Sequence, residues 1–96
     1  MTQILIVDDE EKMRNLLSMM LERKGVKTGK AVHGRHALEM LEKTTFDLVI
    51  SDIKMPEMDG RELIREMRKK DIQIPVIFIT AFATIDSAVE MMKQGA

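Results

Sequence analysis

Short apolar runs alternate with segments of helical period along the whole chain, and that alternation leaves few folds open to it. Residues 4–7, Ile-Leu-Ile-Val, read as a first strand. A helix follows, with Met13, Leu16, Leu17 and Met20 at the i, i+3, i+4, i+7 spacing of a buried stripe. Gly25 stops it, after Arg23 and Lys24 in the last turn, where the helix dipole favours cations. Residues 26–31 make a weak, polar second strand whose lysines suit a sheet edge. His33 or Gly34 opens a second helix that buries Ala37, Leu38 and Leu41. Residues 46–51, nearly continuous in apolar character, form a third strand covered on both faces. Asp59 and Glu62 resemble a capping box for a third helix burying Leu63, Ile64 and Met67. Residues 75–80 are a fourth strand with proline first, where a missing donor is tolerated. Thr84 caps a fourth helix with Ile85, Ala88, Val89 and Met92 inward and Gly95 at its end. Four βα units in this order predict one α/β domain over residues 1–96, with a parallel sheet and right-handed crossovers.

Two of the apolar runs end in aspartate. Asp8-Asp9-Glu10 follows the first strand and Asp52 ends the third. Open α/β sheets place their sites at the carboxyl edge of the strands, so these acids are expected to share one pocket. Carboxylates brought together repel unless a cation or a proton intervenes. The cluster therefore favours a hard divalent ion with oxygen ligands, Mg²⁺ above others beside phosphate chemistry.

Composition excludes several function classes. With 15 basic and 16 acidic residues the net charge is −1, so no overall field attracts nucleic acid or a membrane surface. No apolar run approaches the length of a membrane span. The start, Met-Thr-Gln-Ile, lacks the basic and apolar regions of a signal peptide, and cysteine is absent, which together predict a cytoplasmic setting. His33 and His36 read as exposed residues at the start of the second helix rather than as metal ligands, and residues 65–70 as a solvated helix end rather than a nucleic-acid patch. The ten methionines, mostly at helical spacing, read as adaptable core filler; Met55 and Met58, near Asp52, are the two placed to serve a surface.

Three pieces in register go further: Asp8-Asp9-Glu10, Ser51-Asp52-Ile53-Lys54-Met55-Pro56-Glu57-Met58-Asp59-Gly60, and Ile79-Thr80-Ala81-Phe82-Ala83. Together they resemble the receiver domain of two-component response regulators, and residues 79–96 are especially similar to receivers of the NtrC-like class. The resemblance implies a flavodoxin-like (CheY-like) three-layer sandwich with sheet order 2-1-3-4. It implies that Asp52 is the phosphoacceptor, and that Asp8, Asp9, Asp52 and the backbone carbonyl of Lys54 hold Mg²⁺. Thr80 would hydrogen-bond the phosphoryl group and small Ala81 would leave room for it. The phosphodonor would be a sensor histidine kinase or a small acyl phosphate, and the output transcriptional, with no direct contact of this domain to nucleic acid.

The family continues with a fifth strand, which carries a phosphate-pairing lysine, and a fifth helix. The sequence ends at Gly95-Ala96, so it is read as a receiver truncated before its fifth βα unit. On that reading phosphorylation is slower or uncoupled from structure, and strand four (Val76-Ile77-Phe78-Ile79) leaves an apolar edge and a bare sheet face that favour a homodimer. The alternative is an assembling scaffold with little phosphorylation activity. An aspartyl-phosphate phosphatase would want a second aspartate two residues beyond Asp52, where Lys54 stands, so the chain is not read as an enzyme.

Overall fold

The computed structural model describes residues 2–52 and 58–79. Within them β1 (Gln3–Val7), β2 (Lys27–Ala31), β3 (Leu48–Ser51) and β4 (Val76–Phe78) alternate with α1 (Glu11–Glu22), α2 (Gly34–Lys43) and α3 (Gly60–Lys69). Every strand pair is parallel and the sheet order is β2-β1-β3-β4, as predicted. The fourth helix expected from the sequence lies outside the described residues, as do Lys54, Met55, Thr80 and Ala81.

Register sorts the side chains, because residues paired across parallel strands point to the same face. Leu5, Val7, Val49 and Val76 fall on one face, where they join Ala37, Leu38 and Leu41 of α2 and Leu63, Ile64 and Met67 of α3 in the main core. Both helices thus bury the residues their periodicity assigned. Phe46 is also core, but it sits ahead of β3 rather than within it. Gly29 of β2 makes room for its ring, since a Cβ there would lie 2.9 Å from Phe46 Cζ.

Ile4, Ile6, Leu48, Ile50 and Ile77 share the opposite face, and α1 packs on it over β1 and β2. Here the predicted stripe needs correction. Leu16 and Met20 are each 51% exposed, while Met13, Leu17 and Leu21 are half-buried and Ser18 is fully buried. Helix α1 is turned so that its Ser18 flank meets β2: Ser18 Oγ lies 2.6 Å from Glu22 Oε2 and 2.7 Å from Thr28 Oγ1. A buried hydroxyl needs such partners, and finding them on β2 swings Leu16 and Met20 away from it.

The helix ends match their sequence signals except at α1, which ends at Glu22 with no basic residue in its last turn, Arg23 and Lys24 lying beyond it. After α1, Gly25 adopts φ +82°, and its N–H donates to the carbonyl of Glu22 while that of Val26 donates to Leu21, a Schellman arrangement. Asp59 caps α3 by accepting the Glu62 N–H at 2.9 Å. His33 caps α2, its Nδ1 accepting the His36 N–H at 3.1 Å, and His36 Nδ1 accepts the Val32 N–H at 3.2 Å. The two histidines are therefore half-buried rather than exposed, His33 as the cap of α2 and His36 within its first turn. The basic end of α3 is internally engaged: Lys69 pairs with Glu66, Lys70 with Glu42 of α2, and Arg68 donates to the carbonyls of Ile72 and Ile74. Of residues 65–70, Arg65, Lys69 and Lys70 are exposed and Met67 is buried.

Candidate functional site

β1 and β3 are neighbours with Val7 opposite Ser51, so the residue after each strand emerges at the same carboxyl edge. The Asp52 N–H donates to the Val7 carbonyl at 3.0 Å and the Asp8 N–H to that of Ala31 at 3.1 Å, carrying the sheet hydrogen bonding up to the two acids. One carboxylate oxygen each from Asp8, Asp9 and Asp52 lies within 4.8 Å of the others. Asp8 is 6% exposed, Asp52 half-buried and Asp9 exposed.

Burial raises the Asp8 carboxyl above the ordinary value of 3.8; the Glu10 N–H, bonded to its Oδ1 at 2.8 Å, opposes the shift, and the charges of Asp52, Asp9 and Glu10 add to it. Asp8 therefore closes a turn onto Glu10 and does not cap α1, whose N-cap residue Glu10 makes no side-chain cap bond. An acid raised by burial and by like charges lowers its energy when a cation enters. Three hard oxygen donors on this spacing, with one edge of the cluster open to solvent, fit a divalent ion such as Mg²⁺.

Two further features hold the Asp52 backbone. Ser51 Oγ donates to the Asp52 carbonyl at 2.8 Å, and Gly60, first residue of α3, abuts the same oxygen: a Cβ at Gly60 would stand 2.9 Å from it. Met58, expected near a surface, is instead 8% exposed. It is buried because Gly34, first residue of α2, lets the chain approach to where a Cβ would lie 2.6 Å from the Met58 carbonyl oxygen. Neither Gly60, within the central motif, nor Arg14, whose Nη1 donates to the Asp8 carbonyl at 2.6 Å, is assigned a role by the sequence alone. Gly60 was detectable as a glycine directly after a helix cap; Arg14 reads as any polar residue of a surface helix.

Residues 4–96 match the response regulator receiver domain family. The chain belongs to that family. It is 44% identical over 94 residues to Regulatory protein AtoC of Escherichia coli K12, covering 98% of this chain and 20% of that protein. It is 41% identical over 93 residues to Transcriptional regulatory protein ZraR of Klebsiella oxytoca, covering 97% and 21%. It is also 41% identical over 98 residues to a protein-glutamate methylesterase/protein-glutamine glutaminase of Treponema denticola, covering 98% and 26%. The receiver thus spans about a fifth to a quarter of these relatives. Among solved structures, the Francisella response regulator 1452 receiver domain superposes with a TM-score of 0.93 at 29% identity, covering 100% of this chain and 79% of that one. Chemotaxis protein CheY4 of Vibrio cholerae gives 0.92 at 32% identity, with 100% and 82% covered. The flavodoxin-like fold and the NtrC-like resemblance both stand. No helix among the described residues is long and apolar enough to cross a membrane.

Proposed function

We propose that this receiver takes a phosphoryl group on Asp52 and acts as a switched module of a phosphorelay rather than by turnover. The observation that carries the reading is the meeting of Asp8, Asp9 and Asp52 within 4.8 Å at the carboxyl edge of a receiver sheet. An Asp52 carboxylate oxygen attacks phosphorus, the bond from phosphorus to the donor's leaving group breaks, and an acyl phosphate forms. Mg²⁺, held by Asp8, Asp9, Asp52 and the Lys54 carbonyl, would supply charge neutralisation and orientation for the phosphoryl oxygens. Asp8 stays oriented by the Glu10 N–H, so its carboxylate keeps its position as charge builds beside it. By likeness to the family, the Thr80 hydroxyl donates to a phosphoryl oxygen and Ala81 leaves space for the group.

The donor is a phosphohistidine of a sensor histidine kinase, with a small acyl phosphate as its chemical substitute. The likeness to AtoC and ZraR favours a cytoplasmic protein with transcriptional output, reached through other parts of the regulator with no contact of this domain to nucleic acid or membrane. Lys54 stands where an aspartyl-phosphate phosphatase would carry its second aspartate, which favours a signalling part over an enzyme. A second copy is the proposed neighbour at β4: Ile77 and Ile79 are 49% and 41% exposed, and among the described residues β4 pairs with β3 alone.

Intact mass after incubation with Mg²⁺ and a small acyl phosphate tests the reading. One phosphoryl group on the parent and none on Asp52→Asn is the expected result. Equal labelling of both proteins would remove Asp52 from its role, and no labelling with Mg²⁺ still bound would favour the scaffold alternative.

A further inference from the structure

Helix α1 begins without the support such a helix usually has. Its N-cap residue is glutamate, with no side-chain cap bond, yet the two residues just before it are the acids that β1 delivers to the site. A glutamate at this position neither satisfies the first helical N–H groups nor fixes the turn. The Asp8 carboxylate does part of that work by accepting the Glu10 N–H at 2.8 Å. The same side chain thus both holds the turn, by one bond to one of its two oxygens, and belongs to the cluster.

Arg14 supplies a tie that does not use the carboxylate. Its Nη1 donates to the Asp8 carbonyl at 2.6 Å, and its own N–H donates to the Glu10 carbonyl at 3.1 Å. With the bond from Glu10 to Asp8, these contacts close a ring through Asp8, Glu10 and Arg14 that encloses the backbone of Asp9. Arg14 is half-buried, which limits the water available to replace the contact. A charge-assisted bond to a carbonyl is among the stronger neutral-to-ion contacts, and the planar guanidinium holds its direction better than an ammonium would.

We infer that Arg14 is a positioning residue of the acidic site, fixing the turn that carries Asp8 and Asp9 by clamping the Asp8 carbonyl from the first turns of α1. The inference rests on the proposed Mg²⁺-dependent role of the cluster.

Charge and position give opposite signs here, which makes the idea decidable. Removing a cation from the Asp8 backbone should tighten a divalent ion, if it changes anything, where charge is all that Arg14 contributes. Removing a clamp on the ligands should weaken it, and losing a partner that orients metal ligands commonly costs about 10- to 100-fold in affinity.

The test is Mg²⁺ titration of the 96-residue chain, followed by calorimetry and by the amide resonance of Glu10, for the parent, Arg14→Met and Arg14→Lys, each well below its melting temperature. Arg14→Met should bind Mg²⁺ about tenfold more weakly. Its Glu10 amide should move toward an unbonded shift before any metal is added, and Arg14→Lys should recover part of both effects. Unchanged or tighter binding by Arg14→Met, or an unmoved Glu10 amide, would overturn the positioning role even if melting temperature falls. A parent that binds no Mg²⁺ would overturn the functional reading beneath it as well, an outcome distinct from equal binding by parent and variants.

Discussion

Gly60→Ala is the substitution for which the structure gives the sharpest expectation. In an ordinary helical position, glycine to alanine gains about 0.4–1 kcal/mol, because the unfolded chain has less freedom to lose. Gly60 is not ordinary. The added Cβ would run into the Phe78 ring on one side and stand 2.9 Å from the Asp52 carbonyl oxygen on the other. The ring has some freedom to turn, although it packs against the main core. The carbonyl has little, because it is backbone, bonded by Ser51 Oγ and followed back to Val7 through the Asp52 N–H. Ordinary contact begins near 3.4 Å, so α3 or the end of β3 must yield by about half an ångström. Overpacking of this kind costs about 1–3 kcal/mol, which leaves a net loss of about 1.3 kcal/mol when the middle of each range is taken. For a domain of this size that lowers the melting temperature by roughly 5–10 °C. Thermal unfolding and Mg²⁺ affinity should be read together, with Gly25→Ala as the control. Gly25 has φ +82° and nothing within 4 Å of an added Cβ, so its cost is backbone strain far from the acids. Both variants should melt earlier, and Gly60→Ala alone should weaken Mg²⁺. A Gly60→Ala protein as stable as the parent, or one that binds the ion normally, would refute the claim that α3 is seated on the Asp52 carbonyl.

Other expectations follow from single contacts. Ser18→Ala removes the hydroxyl that joins Glu22 to Thr28 and should cost about 1–2 kcal/mol in urea unfolding, with a strongly non-additive double mutant at Thr28→Val. The Asp8 carboxyl is raised by burial first, so the folded state holds its proton more tightly than the unfolded state does. Between the ordinary value of 3.8 and the raised folded value, stability must therefore fall as pH rises, and the penalty stays constant above that window. Asp8→Asn in metal-free buffer should abolish that slope and stabilise the domain at neutral pH; a parent-like slope would contradict the assignment. Ile77, exposed among the described residues, tests the proposed second-copy contact: Ile77→Lys should shift light-scattering mass toward a single copy, whereas an unchanged mass would discard β4 as the contact.

What the sequence made legible, and what it hid, follows from where each signal is local. The acidic pocket was legible because parallel strands deliver their last residues to one edge, whatever the details of packing. The inward faces of α2 and α3 were legible because Ala37, Leu38 and Leu41, and Leu63, Ile64 and Met67, are flanked by charged residues that leave one stripe to choose. Helix α1 offered no such choice. Leu16, Leu17, Met19, Met20 and Leu21 crowd its second half, so two neighbouring stripes fit the period equally. Ser18 decided between them by hydrogen bonding to β2, a tertiary contact that hydrophobic spacing does not encode. Met58 was misplaced for a similar reason, since its burial depends on a missing Cβ at Gly34, distant in sequence. Arg14 stayed invisible because its partner is a backbone carbonyl, which every residue has.

These hidden contacts share a place. Gly34 of α2 closes on the Met58 carbonyl and Gly60 of α3 closes on that of Asp52, while Arg14 of α1 binds that of Asp8. All three helices thus close on backbone oxygens, and two of those oxygens, on Asp8 and Asp52, belong to the acids themselves. Such seating suits a site whose side chains repel one another, because the repulsion cannot be relieved by letting the turns drift apart. The strain is then held in charge rather than in geometry, and the most direct way to lower it is to change the charge. An ion among the carboxylates, or a phosphoryl group on Asp52, alters the force on oxygens that the helices rest on. A site held by loose loops would absorb that change locally, whereas here the acids' own carbonyls are held by Arg14 of α1 and abutted by Gly60 of α3.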